Sequence, residues 1–179
     1  MIAGAPLGSE IPAAAVREVA MRFGETTALD HMSFDLQRGR VTAVVGANGS
    51  GKSTLLNVLS GVLAPSAGEV WGPRGGHVAG VPGALAEGIA LVPQDPTVAG
   101  HLNVWQNVML GRSDASSASI LRNRRARRLA VEAIDGLLPL ELLDRPASSL
   151  SKSTLQLMQL AAAVAKDPEL LLLDEPTAV

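Results

Sequence analysis

Apolar runs alternate along this chain with short polar breaks that carry glycine. AAVREVAMRF (14–23) and TALDHMSFDL (27–36) read as two strands separated by Gly24-Glu25. In the second, Leu29, Met32, Phe34 and Leu36 are the candidate inward positions. After the turn Gln37–Arg40, VTAVVG (41–46) reads as a short apolar strand, and Ser53–Ser60 as a helix stopping near Gly61. A turn-rich stretch, 65–82, surrounds a short strand at GEVW; Ala84–Glu87 reads as a helical turn, and GIALVPQ (88–94) as the next buried strand. Beyond Gln94 the pattern turns helical: Leu102–Leu110, Ser117–Leu138, and an apolar helix from Ser149 with Ser151 as its N-cap. Asp167-Pro168 ends that helix, and LLLL (170–173) reads as a fully buried strand. The alternation predicts an α/β fold with an N-terminal antiparallel β part and a helical insert at 95–149.

A length of 179 residues suits one domain, expected over 12–179 after a loose tail at 1–11. A hydrophobic content of 47% argues for a folded core, and with two Phe, two Trp and no Tyr that core is aliphatic. A net charge of −2 gives no general attraction to nucleic acid or acidic lipid. No cysteine is present, which excludes disulfides and thiolate metal sites and fits a reducing compartment. No apolar run approaches the roughly 20 residues of a membrane helix, so a membrane role would come through a partner.

The densest chemistry lies in GANGSGKST, Gly46–Thr54. Gly46, Gly51, Lys52 and Ser53 fit the G-x-x-x-x-G-K-[ST] pattern, with a predicted strand before and a helix after. Glycine lets the backbone wrap closely, so that amides point at phosphate oxygens. The following helix N-terminus adds partial positive charge. Lys52 would bring a full charge to the β and γ phosphates of a nucleoside triphosphate, and the Ser53 hydroxyl a magnesium ligand. A glycine-rich turn with an incidental lysine is the alternative, and the flanking elements disfavour it.

The second group ends the leucine strand. Ligands bind at the C-terminal edge of such strands, and Asp174 and Glu175 stand there. Asp174 is a candidate magnesium ligand. Glu175, one residue on, suits polarising the water that attacks a γ-phosphate. Two solvated carboxylates closing a strand are the competing reading.

Taken with Gln94 in VPQD, these residues resemble the nucleotide-binding domain of ABC (ATP-binding cassette) transporters, from about Ala13 to the last residue. The resemblance implies a P-loop NTPase core, ATP and Mg²⁺ as ligands, and ATP contacts from Gly46, Asn48, Gly49, Ser50, Gly51, Lys52, Ser53 and Thr54. It makes Gln94 a sensor of magnesium and the γ-phosphate that couples to the membrane subunit, and Phe23 the aromatic that stacks on adenine. A core phenylalanine is the alternative for Phe23; Trp71 is read as packing. The finer likeness is to the first ATPase domain of bacterial sugar-import systems, through ALDHMSFDLQRGRVTAVVGANGSGKSTLLNVLSG, NVWQNVMLGR and QLMQLAAAVAKDPELLLLDEPTA. Polar amino-acid and lipid importers share much of it.

The family's signature, usually LSGGQ, reads LSKST here at Leu150–Thr154. In the family this loop, with Ser151, meets the γ-phosphate of ATP held by the opposite subunit. Lys152 and Ser153 replace both glycines, which predicts a weakened half-site. The family's aspartate loop and switch histidine follow the acidic strand, and His31, His77 and His101 all precede it; each is read as a surface or packing residue. The segment at hand is therefore expected to expose an apolar sheet edge alone and to be poorly soluble or inactive.

The resemblance implies a transmembrane permease and a second ATPase domain as partners, a substrate-binding protein indirectly, and a place on the cytoplasmic face of the membrane. Arg122, Arg124, Arg125, Arg127 and Arg128 form a basic run. Without aromatics nearby it reads as a solvated helix face rather than a nucleic-acid surface; contact with an acidic permease loop is a third option. Two rival functions stand beside ATP-driven import. One is an ABC ATPase acting on ribosomes or DNA, and the other an ATP-binding remnant that does not hydrolyse.

Overall fold

The computed structural model describes residues 12–111 and 120–175. The tail at 1–11, the expected helix start at Ser117 and the last residues of DEPTA lie outside them. Two compact units form: residues 12–91 with 169–174, and residues 92–111 and 120–168 with 175.

In the first unit, β1 (Ala14–Phe23) and β2 (Thr26–Leu36) pair antiparallel, with Phe23 opposite Thr26 and Ala14 opposite Leu36. Gly24 closes the hairpin at φ +58°, where a Cβ would be strained. β3 (Ala67–Trp71) adds antiparallel to the other edge of β1, giving the order β2-β1-β3. The ladder is bulged near Glu18, and Gly68 sits with φ +82° against the Glu18 carbonyl, an approach that a Cβ would block. Leu29 and Leu36 are buried, as the alternation predicts, with Met32 and Phe34 packed at the margin.

Helix α1 (Lys52–Leu59) buries Leu55, Leu56, Val58 and Leu59, and the chain turns out of it at Gly61, φ +71°. The same core takes in Val16, Val19, Val70, Ile89 and Leu172. Helix α2 (Gly80–Ala86) leads to β4 (Ile89–Val92), which pairs with β5 (Leu170–Leu173). Arg38 and Arg74 both pair with Glu169 at the start of β5, at 3.0 and 3.8 Å.

Two strand expectations need correction. VTAVVG (41–46) forms no strand: its residues are exposed, Val45 at 87%. A fully apolar strand is held by ladder partners and by cover on both faces. Among the described residues it pairs with neither sheet, β2-β1-β3 or β4-β5, and so has no ladder to hold it. Nor is β5 fully buried. Only Leu172 is, and Leu173 is 39% exposed, because among the described residues β4 alone lies beside it.

The second unit is helical. Helix α3 (Val104–Val108) sinks Val104 and Val108 completely, helix α4 (Ile120–Ile134) contributes Ala126, Ala130 and Ile134, and helix α5 (Lys152–Val164) adds Met158 and Ala161 to the same cluster. Buried Asn107 is satisfied throughout: its Nδ2 donates to the carbonyls of Ala99, Leu102 and Asn103, and its Oδ1 accepts from the Ala99 amide. Among the described residues no helix is long and apolar enough to cross a membrane.

Candidate functional site

The glycine-rich loop enters α1 without a side-chain cap, with Gly51 at φ +92° in the N-cap position. The first amides of that helix therefore have no acceptor from a cap. Gly51 lies directly beneath the Ala28 carbonyl on β2, where a Cβ would collide. A Cβ on Gly46 would sit 2.5 Å from Ser50 Oγ. Gly51 is thus set by close approach to backbone and Gly49 by its φ of +80°, whereas at Gly46 the neighbour is only the end of an exposed serine side chain that can turn aside. The Lys52 ammonium folds back over the loop and donates to the carbonyls of Gly46 (2.9 Å) and Ala47 (3.0 Å). Asn48, Gly49, Ser50 and Ser53 are exposed, and Thr54 is half-buried.

Phe23 ends β1 with half its surface (50%) in solvent. The alternative of a core phenylalanine is therefore set aside. Trp71 makes an edge contact with His77, centroids 5.8 Å apart. His31 faces Glu18 at 3.7 Å on the surface.

Asp174 follows the last residue of β5 and is half-buried. Among the described residues no three His, Asp or Glu side chains gather to hold a metal by themselves. The Ser53 hydroxyl and the Asp174 carboxylate are oxygen donors of the kind a hard cation takes when a phosphate chain supplies its other ligands.

In the second unit Gln94 and Glu175 meet: Gln94 Nε2 donates to Glu175 Oε2 at 3.0 Å. Glu175 has φ +46°, a left-handed conformation uncommon outside glycine. The signature residues open α5. Ser151 caps it, accepting from the Thr154 amide at 3.2 Å, with Ser153 Oγ and Thr154 Oγ1 also within hydrogen-bond reach. Lys152 pairs with Asp95 at 2.7 Å.

Sequence reasoning assigns no role to Asp95, Gln156 or Gln159. Gln156 Nε2 donates to the Gln94 carbonyl (3.0 Å) and Gln159 Nε2 to the Thr97 carbonyl (2.9 Å). The signal is in the chain: beyond the first turn of a largely apolar helix, Gln156 and Gln159 are polar and share a face with Lys152. Of the basic run, Arg127 is paired with Asp144 at 2.6 Å, and Arg124, Arg125 and Arg128 are exposed.

Residues 29–178 match the family model described as ABC transporter. A ribose import ATP-binding protein of Streptomyces coelicolor is 38% identical over 169 residues, 93% of this chain and 33% of that protein. An arabinose import ATP-binding protein of Chromohalobacter salexigens is 36% identical over 166 residues, 89% of this chain and 32% of that protein. The chain thus spans about one third of the length of these curated relatives. Among solved structures, a Clostridium perfringens component of the cbiONQ ABC transporter complex superposes with TM-score 0.76 and 29% identity, covering 94% of this chain and 67% of that one. An ATP-binding cassette in its ADP conformation gives 0.76 and 26%, covering 93% and 70%. With the glycine loop, the acidic strand end and the capped signature helix in place, and a family match over most of its length, the chain belongs to the ABC transporter family of ATP-binding cassettes.

Proposed function

We propose that this chain binds Mg-ATP at Gly46–Thr54 and hydrolyses it to power import of a sugar through a membrane permease. The observation that carries the reading is the loop itself. Gly51 is wedged under the Ala28 carbonyl and Lys52 is folded over the Gly46 and Ala47 carbonyls, a cradle built for a compact polyanion. The amides of 46–51 and the uncapped start of α1 take the phosphate oxygens, Lys52 neutralises the β and γ phosphates, and Phe23 stacks on the adenine. Ser53, Asp174 and Gln94 would hold magnesium, which would offset charge on the phosphates. Glu175 accepts a proton from the attacking water, and Gln94 orients it.

The importer reading draws on the relatives, whose names are those of ribose and arabinose import proteins. It brings a permease, a second ATPase domain contacting this one's Ser151, an indirect substrate-binding protein, and a peripheral place on the cytoplasmic face. Residues 12–179 act as the cassette, and 95–149 as its helical subdomain.

A specific observation favours a second reading, a nucleotide binder that does not hydrolyse. Lys152 stands where the family has glycine and is held by Asp95. Titrating the protein at its native length with Mg-ATP, then following phosphate release, separates the two. Binding with release supports the ATPase, binding without release selects the second reading, and no binding refutes both.

A further inference from the structure

One face of α5 grips the segment that carries Gln94. Lys152, Gln156 and Gln159 fall at i, i+4 and i+7, and their partners are Asp95, the Gln94 carbonyl and the Thr97 carbonyl. The three contacts are unequal. Lys152–Asp95 is exposed on both sides, 56% and 84%, and such pairs contribute little by themselves. Gln156 is buried, and its amide is tied to the backbone of Gln94 itself. A buried amide that lost this acceptor would be left unsatisfied, so the contact fixes where residue 94 stands. Gln94 in turn spends its side-chain amide on Glu175. A continuous path therefore runs from the Ser151-capped start of α5, through Gln156, to Gln94 and Glu175.

We propose that Gln156 is a positioning residue for the Gln94–Glu175 pair: its buried amide anchors the Gln94 backbone so that the Gln94 side chain meets the Glu175 carboxylate, with Lys152–Asp95 steadying the same segment from outside. The proposal rests on the ATPase reading above. It assigns a hydrolytic consequence to a residue that need not touch nucleotide. Because the anchor acts on an arrangement and not on phosphate affinity, its loss should lower kcat and leave nucleotide binding alone.

The test uses the protein at its native length, with Gln156→Met to keep volume and remove the donor, and Gln156→Glu to keep shape and put an acceptor before a carbonyl. Both should lower kcat by about ten- to a hundredfold, reaching at the upper end the loss that a misplacement of roughly 1 Å produces. KM for ATP and the Mg-ATP Kd should stay within about twofold and the amides of Gln94, Asp95, Thr97 and Val98 should exchange faster. Asp95→Lys or Lys152→Glu alone should speed exchange in the same segment, and the double exchange of charges should restore it. An unchanged kcat in both Gln156 variants would overturn the inference while leaving the ATPase reading intact. So would a joint fall of kcat, affinity and melting temperature, which marks a merely structural role. A wild type that binds Mg-ATP without turning it over also overturns it, and a wild type that binds none refutes the ATPase reading along with it.

Discussion

Lys52 Nζ lies 2.9 Å from the carbonyl oxygen of Gly46, the residue that opens the loop Lys52 closes. A second carbonyl, that of Ala47, takes another of its protons at 3.0 Å. The ammonium is thereby held over the loop. Unit charges about 4 Å apart attract by on the order of 4 kcal/mol at an effective dielectric of 20, against about 1 kcal/mol for a neutral hydrogen bond. Since Lys52 is partly exposed, solvent screens a share of that. Lys52→Ala is expected to weaken Mg-ATP binding at least about tenfold by calorimetric titration. A Kd equal to wild type would remove Lys52 from the phosphate site.

Among the described residues Glu175 accepts a hydrogen bond from Gln94, and it is exposed. Glu175→Gln keeps the size and removes the base. The expected outcome is Mg-ATP affinity near wild type with turnover lower by about 10²–10⁴. Equal phosphate release by both proteins would refute the assignment.

Much of this was legible in the chain, and for identifiable reasons. β1 and β2 follow from alternation around Gly24-Glu25, and α5 from a serine ahead of an apolar run; the Ser151 cap forms as expected. These are local signals, settled within a few residues. VTAVVG stays out of both sheets despite its apolar content, because strand formation depends on pairing and cover from elsewhere in the chain, which a local pattern does not carry. The same applies to β5, where four leucines read as full burial but one strand covers them incompletely. Of the site, the phosphate loop is a contiguous motif and could be read. Asp95–Lys152 and Gln156–Gln94 join residues 57 and 62 positions apart, and no local pattern announces such a pair.

The Arg127–Asp144 pair should leave a trace in the acid limb of stability. The hydrogen bond from Arg127, more than the bare attraction of its charge, holds the Asp144 carboxyl below its usual value. A carboxyl whose folded value is depressed adds stability above its unfolded value, near about 3.9. That contribution is lost as pH falls through the lower folded value. Asp144→Asn should therefore melt slightly below wild type at neutral pH and low salt, with the gap closing in strong acid and in high salt. A gap that widened as pH fell would contradict the pairing.

Two glycines of one loop separate backbone strain from steric closure. Gly49 has φ +80° with nothing within 4 Å of where a Cβ would stand, whereas Gly51 has φ +92° and the Ala28 carbonyl in that space. Gly49→Ala meets only the left-handed penalty, about 1–2 kcal/mol. Gly51→Ala meets that penalty and must also push the loop away from β2, or β2 away from the loop. Because Ala28 is part of the β1–β2 hairpin, the strain would spread into the sheet that packs on α1. The ordering expected from thermal melts is wild type, then Gly49→Ala, then Gly51→Ala, with the last also losing more Mg-ATP affinity. If Gly51→Ala were as stable as Gly49→Ala and bound nucleotide equally well, the close approach to Ala28 would not be what fixes the loop, and the cradle would have to be set by Lys52 and its two carbonyls alone.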